Sequence, residues 1–262
     1  MAHSAFDPAG SGGAVGGIAV SCSPDVIEIF GALDLDFAFV DLEHGGVSPF
    51  DADPLKDLAR AADLAGVELV VRLPSGEPGA HPARIRKVLD TGVRNVLVPR
   101  VESVDAAEAA VDAARFRASD GSPGSRGIGS SRASLWGGDL DAEFLSREDE
   151  TAHVGVMIEN DRIVDDLDDL VALPGLDFVF LGPGDLSHAL GHPLEFDHPE
   201  VVDVVDEVEA TVRDADVCLG GVFVHDAAEM LDRGYDLTVL GSDYGAVYGH
   251  LGAALSDLDR PE

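Results

Sequence analysis

The sequence predicts a single-domain (β/α)8 barrel, on three observations. Eight short apolar runs recur along the chain, helix-like segments separate them, and 262 residues match the ~250 that one such barrel takes. A doubly wound open sheet is the runner-up.

The runs lie at 15–20, 37–41, 67–72, 95–98, 154–158, 178–181, 217–222 and 237–240. Their near-continuous hydrophobicity is what strands buried on both faces need, as in a parallel sheet. The spacing predicts helices over 24–30, 54–64, 82–90, 104–114, 163–173, 199–214 and 227–233. Their punctuation is that of helices: Ser23 and Asp53 before a Pro, Ser103 ahead of the fourth, and Gly66, Gly92 and Gly234 behind. The rhythm breaks at 116–151, where a Gly/Ser/Arg-rich loop over 121–138 precedes an acidic helix-like piece over 140–150. A loop that long inside a compact domain is usually functional or disordered. Residues 1–13 are expected to be flexible, and the start of the chain lacks the basic flank and apolar run of a signal peptide. No stretch approaches the ~18 uninterrupted apolar residues of a membrane span.

Charge narrows the partners. Seventeen Lys+Arg stand against 50 Asp+Glu, a formal net charge of −33. Such a chain repels phosphate and an anionic membrane surface, which excludes both nucleic acid and membrane as partners. Lys56 and Lys87 are the only lysines. Abundant acid with almost no Lys fits a halophilic, haloarchaeal cytoplasm, where salt screens self-repulsion and charge maintains solubility. Cys22 and Cys218 are far apart in sequence, which excludes a disulfide scaffold and a Cys-based zinc site.

A barrel carries its active site at the C-terminal ends of its strands. The second run ends in Asp41-Leu42-Glu43-His44-Gly45-Gly46, the third in Arg72, the fifth in Glu159, the sixth in Gly182-Pro183-Gly184-Asp185. Glu159 and Asp185 could form an oxygen-rich site for Mg²⁺ or Mn²⁺, with Co²⁺ a third candidate, or could be ordinary paired acids. Glycines before Asp185 let the backbone approach a ligand and favour the first reading. Arg72 could clamp a carboxylate or neutralise a nearby acid. His44, three residues after Asp41, reads as a general base oriented by that carboxylate, or as a surface loop histidine. Neither lysine falls at a strand end, so an imine mechanism is excluded and carbonyl activation falls to a metal. No Walker A, strand-linked G-x-G-x-x-G or G-x-S-x-G motif occurs. His188, His192 and His198 fall in a loop, and a metal site there is the minority reading. Trp136, Arg126 and Arg132 could line a pocket mouth or a subunit contact.

Taken together the motifs resemble the HpcH/HpaI family of metal-dependent class II pyruvate aldolases. The matching pieces are DFAFVDLEHG at 36–45, VVRLP at 70–74, VLVP at 96–99, SRGIGSSRAS at 125–134, VMIE at 156–159 and GLDFVFLGPGDLSHAL at 175–190. They run in family order over most of 15–250. The resemblance implies a barrel whose last helix packs on a neighbouring subunit, in a dimer, trimer or hexamer. It implies Glu159 and Asp185 as metal ligands and Arg72 as the residue contacting the pyruvate moiety. His44 and Asp41 match the acid/base pair. Amides near Gly184 and Asp185 would hold the pyruvate carboxylate, and Asp90 matches an acid reaching an adjacent subunit's site. Two departures stand out: Met157 occupies a position where many of these aldolases carry Gln, and GPGDLS replaces GPADLS.

The expected activity is reversible, metal-dependent cleavage of a 2-keto-4-hydroxy acid, such as a 2-keto-3-deoxy sugar acid, to pyruvate and an aldehyde. Two alternatives stand beside it: a citrate-lyase or malyl-CoA-lyase type of C–C lyase, and a non-catalytic barrel that binds small acids.

Overall fold

A computed structural model describes residues 13–75, 81–215, 217–222, 225–256 and 258. The expected flexible start, 1–13, lies outside the described residues except for Gly13. Eight parallel strands close a barrel in chain order: β1 (Ala14–Ala19), β2 (Phe37–Asp41), β3 (Glu68–Arg72), β4 (Asn95–Val98), β5 (His153–Ile158), β6 (Phe178–Leu181), β7 (Cys218–Gly221) and β8 (Leu237–Ser242). β8 returns to β1 with Leu237 opposite Ala14. Closure removes both edges and excludes the open doubly wound sheet.

Helices α1 (Pro24–Ala32), α2 (Ala52–Ala65), α3 (His81–Leu89), α4 (Val104–Ala114), α5 (Ala142–Thr151), α9 (Pro199–Arg213) and α10 (Ala227–Asp232) occupy segments where the sequence predicts helix. The predicted helix over 163–173 is instead two, α6 (Asp161–Val164) and α7 (Leu167–Val171). Asp166 takes a non-helical backbone, φ −113° and ψ 20°, at the start of α7. Its side chain makes no capping hydrogen bond there.

Two helices stand outside those that the spacing predicts. α8 (Pro183–Ala189) opens directly at the Gly-Pro-Gly turn after β6, and α11 (Asp243–Ser256) follows β8, where the resemblance implies a last helix. None of the residues of α11 is buried within the chain, and Tyr244, Val247, Tyr248, Leu251 and Leu255 are exposed on it.

The strands alternate their side chains between two apolar regions. Outward residues such as Val40, Val71, Val96, Val156 and Leu181 pack under the helices, while Ile18, Phe37, Phe39, Val70, Leu97, Met157, Phe178 and Phe180 fill the barrel. Fully burying one such side chain stabilises by about 1.5–3 kcal/mol. Three rings seat on glycines directly opposite in register: Phe37 on Gly16, Phe178 on Gly155, Phe180 on Gly220. A Cβ at Gly155 would stand 2.2 Å from the Phe178 ring.

The 116–141 segment folds against the N-terminal rim. Arg126 pairs with Glu148 of α5 at 2.9 Å, and Arg132 reaches Asp63 and the Thr91 carbonyl just before β4. Trp136, with φ +56°, is exposed.

Candidate active site

Period-two alternation decides what reaches the C-terminal rim. On β2 the inward positions are Phe37, Phe39 and then Asp41; on β3, Val70 is followed by Arg72; on β5, Met157 is followed by Glu159. Past β6, the first turn of α8 brings Gly184 and Asp185 to the same rim. Arg72, Met157, Glu159, Gly182, Pro183, Gly184 and Asp185 line one cavity of about 220 Å³, completed by Phe196 and Val222.

Arg72 and Asp41 form a two-pronged ion pair, Nε to Oδ1 at 3.0 Å and Nη2 to Oδ2 at 2.7 Å. Asp41 Oδ1 also accepts the Glu43 amide at 2.9 Å and the His44 amide at 3.2 Å. Burial opposes ionisation of Asp41, but the Arg72 hydrogen bonds and charge, with those two amides, hold its carboxyl below the usual range. Glu43 approaches Arg72 Nε at 3.4 Å. The third guanidinium nitrogen, Nη1, faces Met157 Sδ at 3.9 Å.

Glu159 is 4 % exposed and accepts the Arg100 amide through Oε1. Burial pushes its carboxyl up to about 7; the Glu43 and Asp185 charges add to that push, against the pull of the Arg100 amide and the Arg72 charge. Neither Glu159 nor Asp185 forms an ion pair among the described residues. Two carboxylates that line one cavity without an ion-pair partner are a donor pair that suits a hard divalent ion.

A family model described as HpcH/HpaI aldolase/citrate lyase matches residues 19–248. The chain belongs to that family. It is therefore a carbon–carbon lyase, and the non-catalytic barrel is set aside. It is 31% identical over 227 residues to a 5-keto-4-deoxy-D-glucarate aldolase of Salmonella paratyphi C, covering 86% of this chain and 84% of that one. Among solved structures it resembles an HpcH/HpaI aldolase/citrate lyase family protein from Burkholderia cenocepacia, with TM-score 0.84 and 29% identity over 95% of this chain and 96% of that one. It also resembles the HpcH/HpaI aldolase from Desulfitobacterium hafniense, with TM-score 0.82 and 26% identity over 95% and 94%. A citrate synthase, SbnG, gives TM-score 0.79 and 27% identity over 94% and 92%.

Against this family background the sequence-derived residues divide into groups. Arg72, Met157, Glu159, Gly184 and Asp185 meet in one cavity. Asp41 lies behind them, and both its oxygens are engaged by Arg72. The expected orientation of the His44 imidazole by Asp41 takes a different form: the contact runs through the His44 main chain, and the side chain is exposed. Arg72 is the partner of an acid, one of its two sequence readings, and it also lines the cavity, where the clamp of the other reading would act.

Asp90 stands apart. It follows α3 at the N-terminal rim, opposite the cavity, and its carbonyl accepts the Ala133 amide from the long segment. Burial, opposed by the charges of Arg126 and Lys87, raises its carboxyl above the usual range. Arg126, Arg132 and Trp136 likewise do not line this cavity. A larger cavity of about 610 Å³ opens at that same rim, beside Asp63, Glu68, Arg94 and His153.

Three contributors have no assigned role in the sequence reading. Glu43 sits beside the recognised strand end, and only its place in DLEHG marks it. Phe196 and Val222 come from segments that nothing local distinguishes from ordinary loop and strand-end residues.

Proposed function

We propose that this chain catalyses reversible aldol cleavage of a 2-keto-4-hydroxy acid to pyruvate and an aldehyde. The observation that carries the reading is the meeting of Glu159, Asp185 and Arg72 in one cavity at the barrel's C-terminal rim. The relatives named as 5-keto-4-deoxy-D-glucarate aldolases support it and favour a 2-keto-3-deoxy sugar acid as substrate.

Glu159 and Asp185 would hold a divalent ion, Mg²⁺ or Mn²⁺ and, third, Co²⁺. Such an ion supplies positive charge where negative charge develops as the C3–C4 bond breaks. Nε and Nη2 of Arg72 are committed to Asp41, so Nη1 is the edge left to hold the keto-acid end. The amides of Gly184 and Asp185, in the first turn of α8, take the substrate carboxylate. Met157 presents a thioether to that end of the cavity. His44 accepts the C4 hydroxyl proton through a water, and Asp41 fixes the His44 loop through its two amide bonds. The exposed apolar residues of α11 and the placement of Asp90 at the opposite rim suit a homo-oligomer. The −33 charge suits a saline cytoplasm.

A citrate-type C–C lyase is the second reading, favoured by the likeness to a citrate synthase. Pyruvate release is measured over a panel of 2-keto-3-deoxy acids at high KCl, with citrate and CoA thioesters alongside. Cleavage of a 2-keto acid that stops on chelation is the expected result. Turnover that persists in EDTA after dialysis, or full turnover by Glu159→Gln, would overturn the mechanism, and cleavage of citrate or a CoA thioester alone would select the second reading.

A further inference from the structure

The segment between α8 and α9 brings Phe196 to the cavity wall. His192 stands near its start, His198 caps α9, and Glu200 lies in that helix's first turn. The two imidazoles stack with centroids 3.3 Å apart and planes 18° apart. His192 Nε2 lies 3.1 Å from Glu200 Oε2. One ring nitrogen of each histidine and a carboxylate oxygen of Glu200 all fall within 4.8 Å of one another. Imidazole donates to a metal in its ring plane, so the two rings would have to turn out of their parallel stack to bring three such atoms to the ~2.0–2.2 Å bonds of a zinc ion.

The Glu200 amide donates to His198 Nδ1 at 3.3 Å, so a metal taken at that nitrogen would replace the hydrogen bond of the cap. A dication would balance the Glu200 carboxylate and join it to both neutral rings.

We propose that His192, His198 and Glu200 form a second metal site, selective for Zn²⁺ or another imidazole-preferring transition ion, with an open fourth position. Two nitrogens and one oxygen set it apart from the all-oxygen pair Glu159 and Asp185, which suits a harder ion. The loop it would close is also held by Ser187, whose hydroxyl accepts the Leu194 amide at 3.0 Å and whose carbonyl accepts the His192 amide at 2.8 Å, and by the Glu195 and His198 amides, which donate to the His192 and Glu195 carbonyls at 3.0 Å each. Leu194 takes φ +64°, a conformation an L side chain adopts only when its surroundings hold it. A metal joining His192 to the start of α9 would fasten both ends of the loop and fix the Phe196 wall.

The test uses the full chain, stripped with chelator, saturated with Mg²⁺ and dialysed against Zn²⁺. The wild type is expected to retain one Zn²⁺ per chain more than the double variant His192→Gln/His198→Gln, with X-ray absorption showing two imidazole ligands. Glu200→Gln should weaken that ion at least tenfold, and circular dichroism checks that each variant is folded. Equal zinc content in wild type and double variant, whether zero or not, would overturn the site. That outcome would leave the aldolase reading untouched, because Glu159 and Asp185 are unchanged in both proteins.

Discussion

Arg72 and Asp41, the last inward residues of adjacent strands β3 and β2, lock side by side through two parallel charged hydrogen bonds of 3.0 and 2.7 Å. The pair is nearly dry, with side-chain exposures of 14% and 4%. It fixes the plane of the guanidinium before any ligand arrives, which is the preorganisation that an anion clamp needs.

Removing the acid from this pair should be costly. Asp41→Ala leaves Arg72 buried with only the more distant Glu43 as partner and should lower stability by about 3 kcal/mol, the lower end for a broken buried pair. Urea denaturation reads the loss. Because Asp41 is held below the usual carboxylate range, its contribution is complete above the ordinary value near 3.9 and fades as pH falls through the native value. The difference between wild type and variant should therefore shrink in acid.

Glu159 has the opposite sign. Its carboxyl sits near 7, above its unfolded value, so the chelated protein is most stable below about pH 4.5 with respect to this group and loses that stability as pH rises through 7. Calorimetry of the chelated enzyme across this window should show the decline, and Glu159→Gln should flatten it. Divalent ions should bind with release of a proton below pH 7, visible as a buffer-dependent heat. A pH-independent midpoint in the chelated wild type would contradict the placement of Glu159.

His44→Ala should reduce turnover by about 10²–10⁴-fold, the range of general-base assistance. Its side chain is exposed, so the thermal midpoint should stay within a degree or two of wild type. A variant with unchanged turnover would assign the proton transfer elsewhere.

A control lies outside the barrel. Glu209 of α9, 1% exposed, accepts from Tyr235 at 2.8 Å, Arg213 at 2.8 Å and Arg233 at 2.6 Å, and lies 3.1 Å from His225 Nε2. Glu209→Ala should cost about 3 kcal/mol in unfolding while KM for the keto acid stays unchanged. Parallel denaturation and steady-state assays separate the two effects.

The strands were legible because both of their faces are apolar, so short runs such as 37–41 and 178–181 stand out without periodicity. α8 was not, because Gly182-Pro183-Gly184 has the composition of a turn, and only the fold shows the helix opening at Pro183. α11 was hidden from the spacing for another reason: Tyr244, Val247, Tyr248, Leu251 and Leu255 share one side, but Gly and Ala fill most of the other positions, so the polar face that would mark a surface helix is missing. At the site, strand ends pointed to Arg72, Glu159 and Asp185 because a parallel barrel aims those ends at one place. The Arg72–Asp41 pairing needs the β2–β3 register, and Phe196 needs the path of a loop; neither is written in local sequence.

The rings seated on Gly16, Gly155 and Gly220 tie the future of one stave to that of the next. At Gly155 even a methyl group would collide with Phe178, an overpacking that costs about 1–3 kcal/mol, whereas trimming Phe178 alone would open a void. Neither member can drift by itself, so descendants of this barrel should exchange bulk across such joints in matched pairs, leaving the catalytic rim above them undisturbed.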